Sequence, residues 1–524
     1  MTNDDDNPWD VIVVGAGMGG GAAAHSLSRN GHNVLLLEMG LSEFLDSEHD
    51  PSITDPSRLL QEGRWPSNLA STIDSKDSEL VPALGCGVGG STLLYAATLE
   101  RLDPGDFEHR ILPSGEEIEW PFTYADLEPY YLQAEQLLRV RGTKDLLEAE
   151  HNYQLLDPPQ LSESDQSLFN ALEKVGLHPY RIHVGIDYVD GCDECGGRYC
   201  ARECKADAKN RFIDPALKTN KLTILPSTTV DRIEVAGNRV ASVTANTPEG
   251  TKQFKSSIVV LAAGALCTPA VLLRSKSSEW PNGAGNKNDL VGRHLMFHAS
   301  DFVALWPPGR FSRAGPKRSI AFRDFYCFEG TKLGEVQTTG LTAGFAEILY
   351  YFYLKFDQSP LRKIRFLRHL LRIPAYVGTL LFKEATVFST IVEDFPYPDN
   401  RVIHDPTAPN GIRFEYTIRR ELKTRVKTLR RLLKSKFRGL RILFFEPEVS
   451  LNFGHACGTC RAGFDAAKSV VDENCEVHGI SNLFVADGSF MPSSGGTNPS
   501  LTIAANALRV ADIIDQRLSH YKPD

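Results

Sequence analysis

The apolar positions near the start of the chain follow two periods in turn. Val11-Ile12-Val13-Val14 is an uninterrupted β-branched run, the pattern of a strand buried on both faces in a parallel sheet. The Ala-rich stretch from Gly21 to Leu27 reads as a helix ended by Gly31, and Val34-Leu35-Leu36-Leu37 predicts a second strand with Glu38 at its tip. Far downstream, Leu361, Ile364, Leu367, Leu370 and Leu371 share one broad helical face, with most of the basic residues of Leu361–Arg372 opposite. The aromatic run Tyr350-Tyr351-Phe352-Tyr353 precedes this segment and the largely apolar Tyr376–Phe382 follows it. In the basic stretch Arg419–Arg438, Leu422, Val426, Leu429 and Leu433 again recur at helical spacing. Each stretch is expected to be a helix with a solvated basic face. For the first, peripheral contact with a membrane or a partner is the competing reading.

Composition narrows the class. At 524 residues, 42% hydrophobic and 23% charged, the chain is an ordinary globular protein too long for one core, so two domains built from interleaved segments are expected. The net charge of -9 argues against a nucleic-acid partner. No uncharged apolar stretch is long enough to span a bilayer, and the acidic start Met1–Asp6 lacks the regions of a signal peptide. A cytoplasmic location is the default expectation, with export alongside a signal-bearing partner left open.

Between the first strand and helix lies Gly15-Ala16-Gly17-Met18-Gly19-Gly20. A GxGxxG sequence alone is a weak signal. Placed between strand and helix, with an acid at the tip of the second strand, it is the full dinucleotide fingerprint. Gly15 allows the tight turn, Gly17 the approach of a pyrophosphate, and Gly20 close packing of helix on strand. The helix N-terminus stabilises phosphate charge, and Glu38 is placed to accept hydrogen bonds from a ribose. A second Gly-rich loop, Gly85-Cys86-Gly87-Val88-Gly89-Gly90-Ser91-Thr92, suits a long cofactor gripped at two places, with Gly87, Gly90 and Ser91 as candidate contacts.

The C-terminal segment carries His455-Ala456-Cys457-Gly458-Thr459, then Asn482–Ser489 with Asp487 and Gly488, then Gly495-Gly496-Thr497-Asn498-Pro499-Ser500. In this order the motifs resemble the glucose–methanol–choline (GMC) oxidoreductase family. Trp120-Pro121-Phe122, Leu261–Ala265, Gly292-Arg293-His294 and Asp399–Val402 extend the resemblance along the chain, while the stretch from Asp301 to Asp394 matches poorly. The resemblance implies an α/β fold: a Rossmann-like FAD-binding domain with an interleaved α+β substrate domain on an antiparallel sheet. The expected division is 1–300 and 450–524 for the FAD domain and 301–449 for the substrate domain. It implies oxidation of an alcohol to an aldehyde or ketone by hydride transfer to FAD. His455 would be the base and Asn498 the group orienting the hydroxyl. Asp487 and Gly488 would lie beside the ribityl and pyrophosphate, with Pro499 against the isoalloxazine. Tyr95 stands where relatives often carry Asn or a His that bonds the flavin, so FAD is expected to be dissociable. An oxygen-reducing oxidase and a lyase or decarboxylase of the same fold are the alternatives.

Cys192, Cys195, Cys200 and Cys204 follow a C-x2-C-x4-C-x3-C pattern. Three readings stand: an iron–sulfur cluster passing electrons to an acceptor protein, a metal-free Cys-rich loop, or a zinc site. The last three cysteines, followed by Ala208-Lys209, resemble the arrangement in bacterial FAD-dependent glucose dehydrogenases with a three-iron cluster. Finally, the apolar middle segment is expected to line or lid the site, which points to a hydrophobic or bulky alcohol as substrate.

Overall fold

Val11–Val14 forms the middle strand of a five-stranded parallel sheet in the order Leu483–Val485, Ile258–Leu261, Val11–Val14, Val34–Leu37, Leu222–Leu225. The structure, a computed structural model, describes residues 9–45, 55–112, 114–148, 150–341, 344–358, 364–445 and 449–520. All four residues of the central strand are buried, as the unbroken apolar run requires: the helix Met18–Arg29 packs on the sheet, and Val230, Ile233, Val240 and Val243 of a three-stranded antiparallel sheet join the same core. The helix Met18–Arg29 starts within the first Gly-rich turn and packs along the C-terminal helix Ser500–His520. The first and last parts of the chain thus close one core.

A second, six-stranded sheet is antiparallel. Its central strand, Met296–Trp306, pairs with Thr386–Val392, Arg441–Phe444 and Ser450–Cys457. These strands straddle the boundaries near 300 and 450 expected from the sequence. The register against Ser450–Cys457 shifts between Met296 and His298, a bulge that turns side chains here toward the neighbouring strand. The helix Arg420–Lys436 covers the sheet, burying Leu422, Val426, Leu429 and Leu433 as their spacing predicts. The described architecture is therefore the expected α/β one, a Rossmann-like domain joined to a substrate domain on an antiparallel sheet.

The middle segment departs from expectation. Leu361, Arg362 and Lys363 lie outside the described residues. Three helices, Phe345–Gln358, Arg365–Leu370 and Arg372–Phe382, pack at the outer edge of the antiparallel sheet, where Phe382 stacks on Trp306 at 5.6 Å between ring centroids. They turn large apolar side chains outward: Ile364, Phe366, Leu370 and Ile373 are all exposed. Arg368 and Arg372 are exposed as expected, but so is an apolar face expected to meet the protein. No helix among the described residues is long and apolar enough to cross a membrane.

Candidate active site

A cavity of about 860 Å³ runs from the first Gly-rich turn to the catalytic candidates, lined by Gly15, Gly17, Glu38, Gly90, Ser91, His455, Asp487, Gly488, Asn498 and Pro499 among others. The two Gly-rich loops, far apart in sequence, meet here. A Cβ on Gly90 (φ +54°) would lie 2.6 Å from the Cα of Gly17, so the second loop tolerates no side chain there. At Gly17 the nearest atom to an added Cβ is 3.9 Å away, leaving its backbone open to the cavity. Gly20 and Gly87 stand behind the cavity. A Cβ at Gly20 would fall 1.9 Å from the Gly15 carbonyl, and one at Gly87 2.5 Å from the Phe44 ring. Gly20 thus lets the helix close on the first turn, and Gly87 lies against Phe44, its backbone bonded to Glu38.

Glu38 is buried at the end of its strand, and its carboxylate accepts from the backbone N–H groups of Ala16 (2.9 Å) and Gly40 (2.8 Å). Burial pushes its pKa up while these hydrogen bonds pull it down. Asp487 is as firmly held. One oxygen accepts from Gly264 N and Thr268 Oγ1, the other from Ser489 N and Oγ. It clamps the turn after Ile258–Leu261 to the C-terminal segment.

His455 lies on the edge strand Ser450–Cys457, and its partner was not anticipated. Its Nδ1 is 2.9 Å from Nδ1 of His298, with the two rings nearly perpendicular. The Nε2 of His298 faces the carbonyl oxygens of Ser494 (3.2 Å) and Gly495 (3.0 Å). Carbonyls only accept, so this nitrogen carries a proton. Burial pushes the His298 pKa down to about 4, so at neutral pH the ring is uncharged and its Nδ1 is a bare acceptor. Nδ1 of His455 must then be the donor. Burial, with the nearby His298 second, holds His455 well below 6.5, and a neutral ring protonated on Nδ1 has its lone pair on Nε2. The bulge at Met296/His298 and the Ser494–Gly495 turn thereby fix which nitrogen of His455 can act as base. Ser494 is itself strapped to Asp394 through its hydroxyl, and Thr497 Oγ1 donates to Glu335 at 2.8 Å.

Asn498 follows this turn, and its Oδ1 is buried with no hydrogen-bond partner. Trp65, which also lines the cavity, has its indole N–H in the same condition. An unpartnered buried acceptor and donor on one cavity are costly unless a ligand satisfies them.

The His pair leads to two expected results. His298→Leu leaves His455 free to carry its proton on Nε2, and alcohol-driven flavin bleaching slows about tenfold to a hundredfold. His298→Asn, whose amide can accept from His455 and donate to the carbonyls, restores most of the rate. Acid stability follows from the same burial. His294 is pushed down to about 3 and His298 to about 4, both by burial. The unfolded chain binds these protons below pH 6.5 and the folded one does not, so stability falls as pH drops from 6.5 toward 4. For His298 alone the loss reaches about 3 kcal/mol at pH 4, read as a fall in Tm that the His298→Asn variant lacks.

The four cysteines of the cluster are close together. Cys204 Sγ lies 3.8 Å from Cys192 and 3.5 Å from Cys200. An iron–sulfur cluster places irons and sulfides between its cysteines, whereas these sulfurs touch one another. Among the described residues no group of three or more His, Cys, Asp or Glu side chains is arranged to hold a metal. As placed, the sulfurs do not have the spacing of an iron–sulfur cluster, and that expectation is left without support. The lysine that organises the loop is Lys205, not Lys209. Its buried ammonium donates to the carbonyls of Leu93, Tyr95, Cys195 and Arg198, pinning the cysteine loop to the end of the second Gly-rich loop. Tyr95 is half-buried there, its hydroxyl donating to the Ala206 carbonyl at 2.6 Å. Among the described residues no cavity-lining residue comes from 345–382, so the support for a hydrophobic substrate drawn from that segment falls away.

Comparison with known proteins agrees with this geometry. The chain is 30% identical to paromamine 6'-oxidase of Streptomyces fradiae over 99% of its own length and 94% of the relative's. It is 27% identical to the fructose dehydrogenase large subunit of Gluconobacter japonicus, covering 96% and 97%. The crystal structure of a pyridoxine 4-oxidase superposes with a TM-score of 0.63 at 19% identity, covering 98% of this chain and all of that one. The N- and C-terminal patterns of the GMC oxidoreductase family match residues 10–300 and 404–507, and the chain belongs to that family of FAD-dependent oxidoreductases.

Proposed function

We propose that the chain oxidises a hydroxyl group of a polar, sugar-like alcohol to the aldehyde or ketone. The observation that carries this reading is the locked His455 tautomer, which leaves an unprotonated Nε2 on the same cavity as the unpartnered Oδ1 of Asn498. The cavity suits FAD: Gly17 and Gly90 form an open cradle, Glu38 stands beside it, and Asp487, Gly488 and Pro499 line the continuation. When bound, FAD supplies the hydride acceptor. Asn498 accepts a hydrogen bond from the substrate and orients it, and Nε2 of His455 takes the hydroxyl proton. The burial that keeps His455 unprotonated makes its imidazolium costly, so the proton is passed on readily. Electrons then leave to an external acceptor, and with no fit for a cluster at the cysteines no step passes through them.

A hydroxyl-rich substrate is supported by the free indole N–H of Trp65 and by Arg64 and Asn452 on the cavity wall, and by relatives named for paromamine and fructose. The test is anaerobic mixing of the holoprotein with a panel of aminosugars, sugars, polyols, long-chain alcohols and aromatic alcohols. Bleaching of the flavin band is expected from the polyhydroxylated members. Bleaching by long-chain or aromatic alcohols alone overturns the substrate class, and product formation without bleaching favours the lyase alternative. Reoxidation by air against reoxidation by a quinone dye then identifies the type of acceptor.

A further inference from the structure

The outward-facing helices Arg365–Leu370 and Arg372–Phe382 bear on none of the chemistry above, and their exposed side is the wrong kind for water. Phe366 and Ile373 are each 65% exposed, Tyr376 61%, Leu380 60%, Leu370 and Leu381 51% and Val377 48%. The side turned to the protein carries the buried Ala375 and Gly378, the latter against Ile348, beside the half-buried Leu367, Leu371 and Phe382. Leu371, between the helices, keeps right-handed helical angles (φ −63°, ψ −16°), so the two pieces continue one winding. At 100° per residue the seven exposed side chains fall within an arc of about 140°. The bulky apolar stripe thus lies in solvent. The stripe is held firmly from behind. Phe382 stacks on Trp306, the Trp306 indole donates to the Leu381 carbonyl at 3.1 Å, and Arg313 donates to the Ala385 carbonyl.

Charge selects the occupant. From Ile364 to Lys383 the sequence has four Lys or Arg residues, Arg365, Arg368, Arg372 and Lys383, and no acid, within a chain of net charge -9. On the same winding these basic positions fall along one flank of the apolar arc. An antiparallel two-fold contact between copies would bring the same basic flanks together, which opposes self-association in that arrangement. An anionic bilayer offers the complement on both counts: acyl chains for the stripe, headgroup phosphates for the flank, and an interfacial level suited to Tyr376. We propose that Phe366–Leu381 is a monotopic membrane-docking surface that lies in the interface of an anionic bilayer.

The experiment is flotation of the full-length holoprotein with phosphatidylcholine vesicles and with vesicles of 70% phosphatidylcholine and 30% phosphatidylglycerol, at low and high salt, scored by protein and by flavin absorbance. Wild type is expected to float with the anionic vesicles, less so at 1 M salt, and poorly with the neutral ones. Ile373→Ser/Leu380→Ser should weaken flotation at least tenfold, and Arg372→Gln/Lys383→Gln severalfold, with thermal unfolding and alcohol-driven bleaching unchanged. Absence of wild-type flotation overturns the proposal, as does equal flotation of wild type and the apolar variant. A wild-type dimer in sedimentation that the apolar variant dissociates, without any flotation, assigns the stripe to a second copy and overturns it too.

Discussion

With His455 replaced by alanine, flavin bleaching by a saturating alcohol slows about 10³-fold while FAD stays bound. The loss is large because the histidine is the one base that the structure prepares: its Nδ1 is committed to His298, and its Nε2 is bare on the cavity. FAD retention is expected because the residues proposed above to hold the cofactor, Gly17, Gly90, Glu38 and Asp487, do not bond to this ring. The measurement is stopped-flow reduction under nitrogen, with flavin content assayed on the same sample. A fall of less than tenfold in a flavin-replete variant sinks the assignment of His455 as base. The kinetic pH profile adds a separate check. Since burial holds the ring well below 6.5, the wild-type rate should stay flat through neutral pH and decline only on the acid side.

The second large effect is at Gly19. A Cβ there would sit 1.7 Å from the carbonyl oxygen of Ala486 and 2.8 Å from its carbon, both rigid backbone. Gly19→Ala therefore forces the start of the helix Met18–Arg29 away from the turn carrying Asp487. We expect it to cost more than about 4 kcal/mol and to yield protein that is insoluble or free of flavin. Gly17→Ala is the control. Its methyl meets no protein atom closer than 3.9 Å, so the apoprotein should fold with an unchanged Tm yet lose FAD, whose approach the methyl obstructs. Equal thermal stability of the two variants contradicts the packing argument.

The two positions also mark what can be read from sequence. The strand–turn–helix–strand from Val11 to Glu38 was legible because its information is local: period, glycine spacing and the acid lie within one stretch. Gly19 looked like a spare glycine in the fingerprint, since its constraint comes from Ala486 at the other end of the chain. His298 was hidden for the same reason, 157 residues from His455 and turned toward it by a bulge that has no periodic signature. In the middle segment periodicity revealed an apolar stripe but not whether it faces the protein or solvent. At the cysteines, spacing established proximity and nothing about the orientation of the sulfurs. Arg420–Lys436 was read correctly because its stripe has a sheet to meet.

The order of the parallel sheet has a consequence for biosynthesis. Its central strand, Val11–Val14, is made before one neighbour, Ile258–Leu261, which lies 247 residues later, and before the edge strand Leu483–Val485, later still. At about 5–20 residues per second the wait for that last strand is roughly 25–95 s. Through that interval an apolar strand edge stands open, and neither Asp487 nor Pro499 yet exists to complete the nucleotide cavity. Completion of the FAD cavity therefore waits for the C-terminal segment, and until Leu483–Val485 is made the open edge of the sheet belongs first to Val11–Val14 and then to Ile258–Leu261.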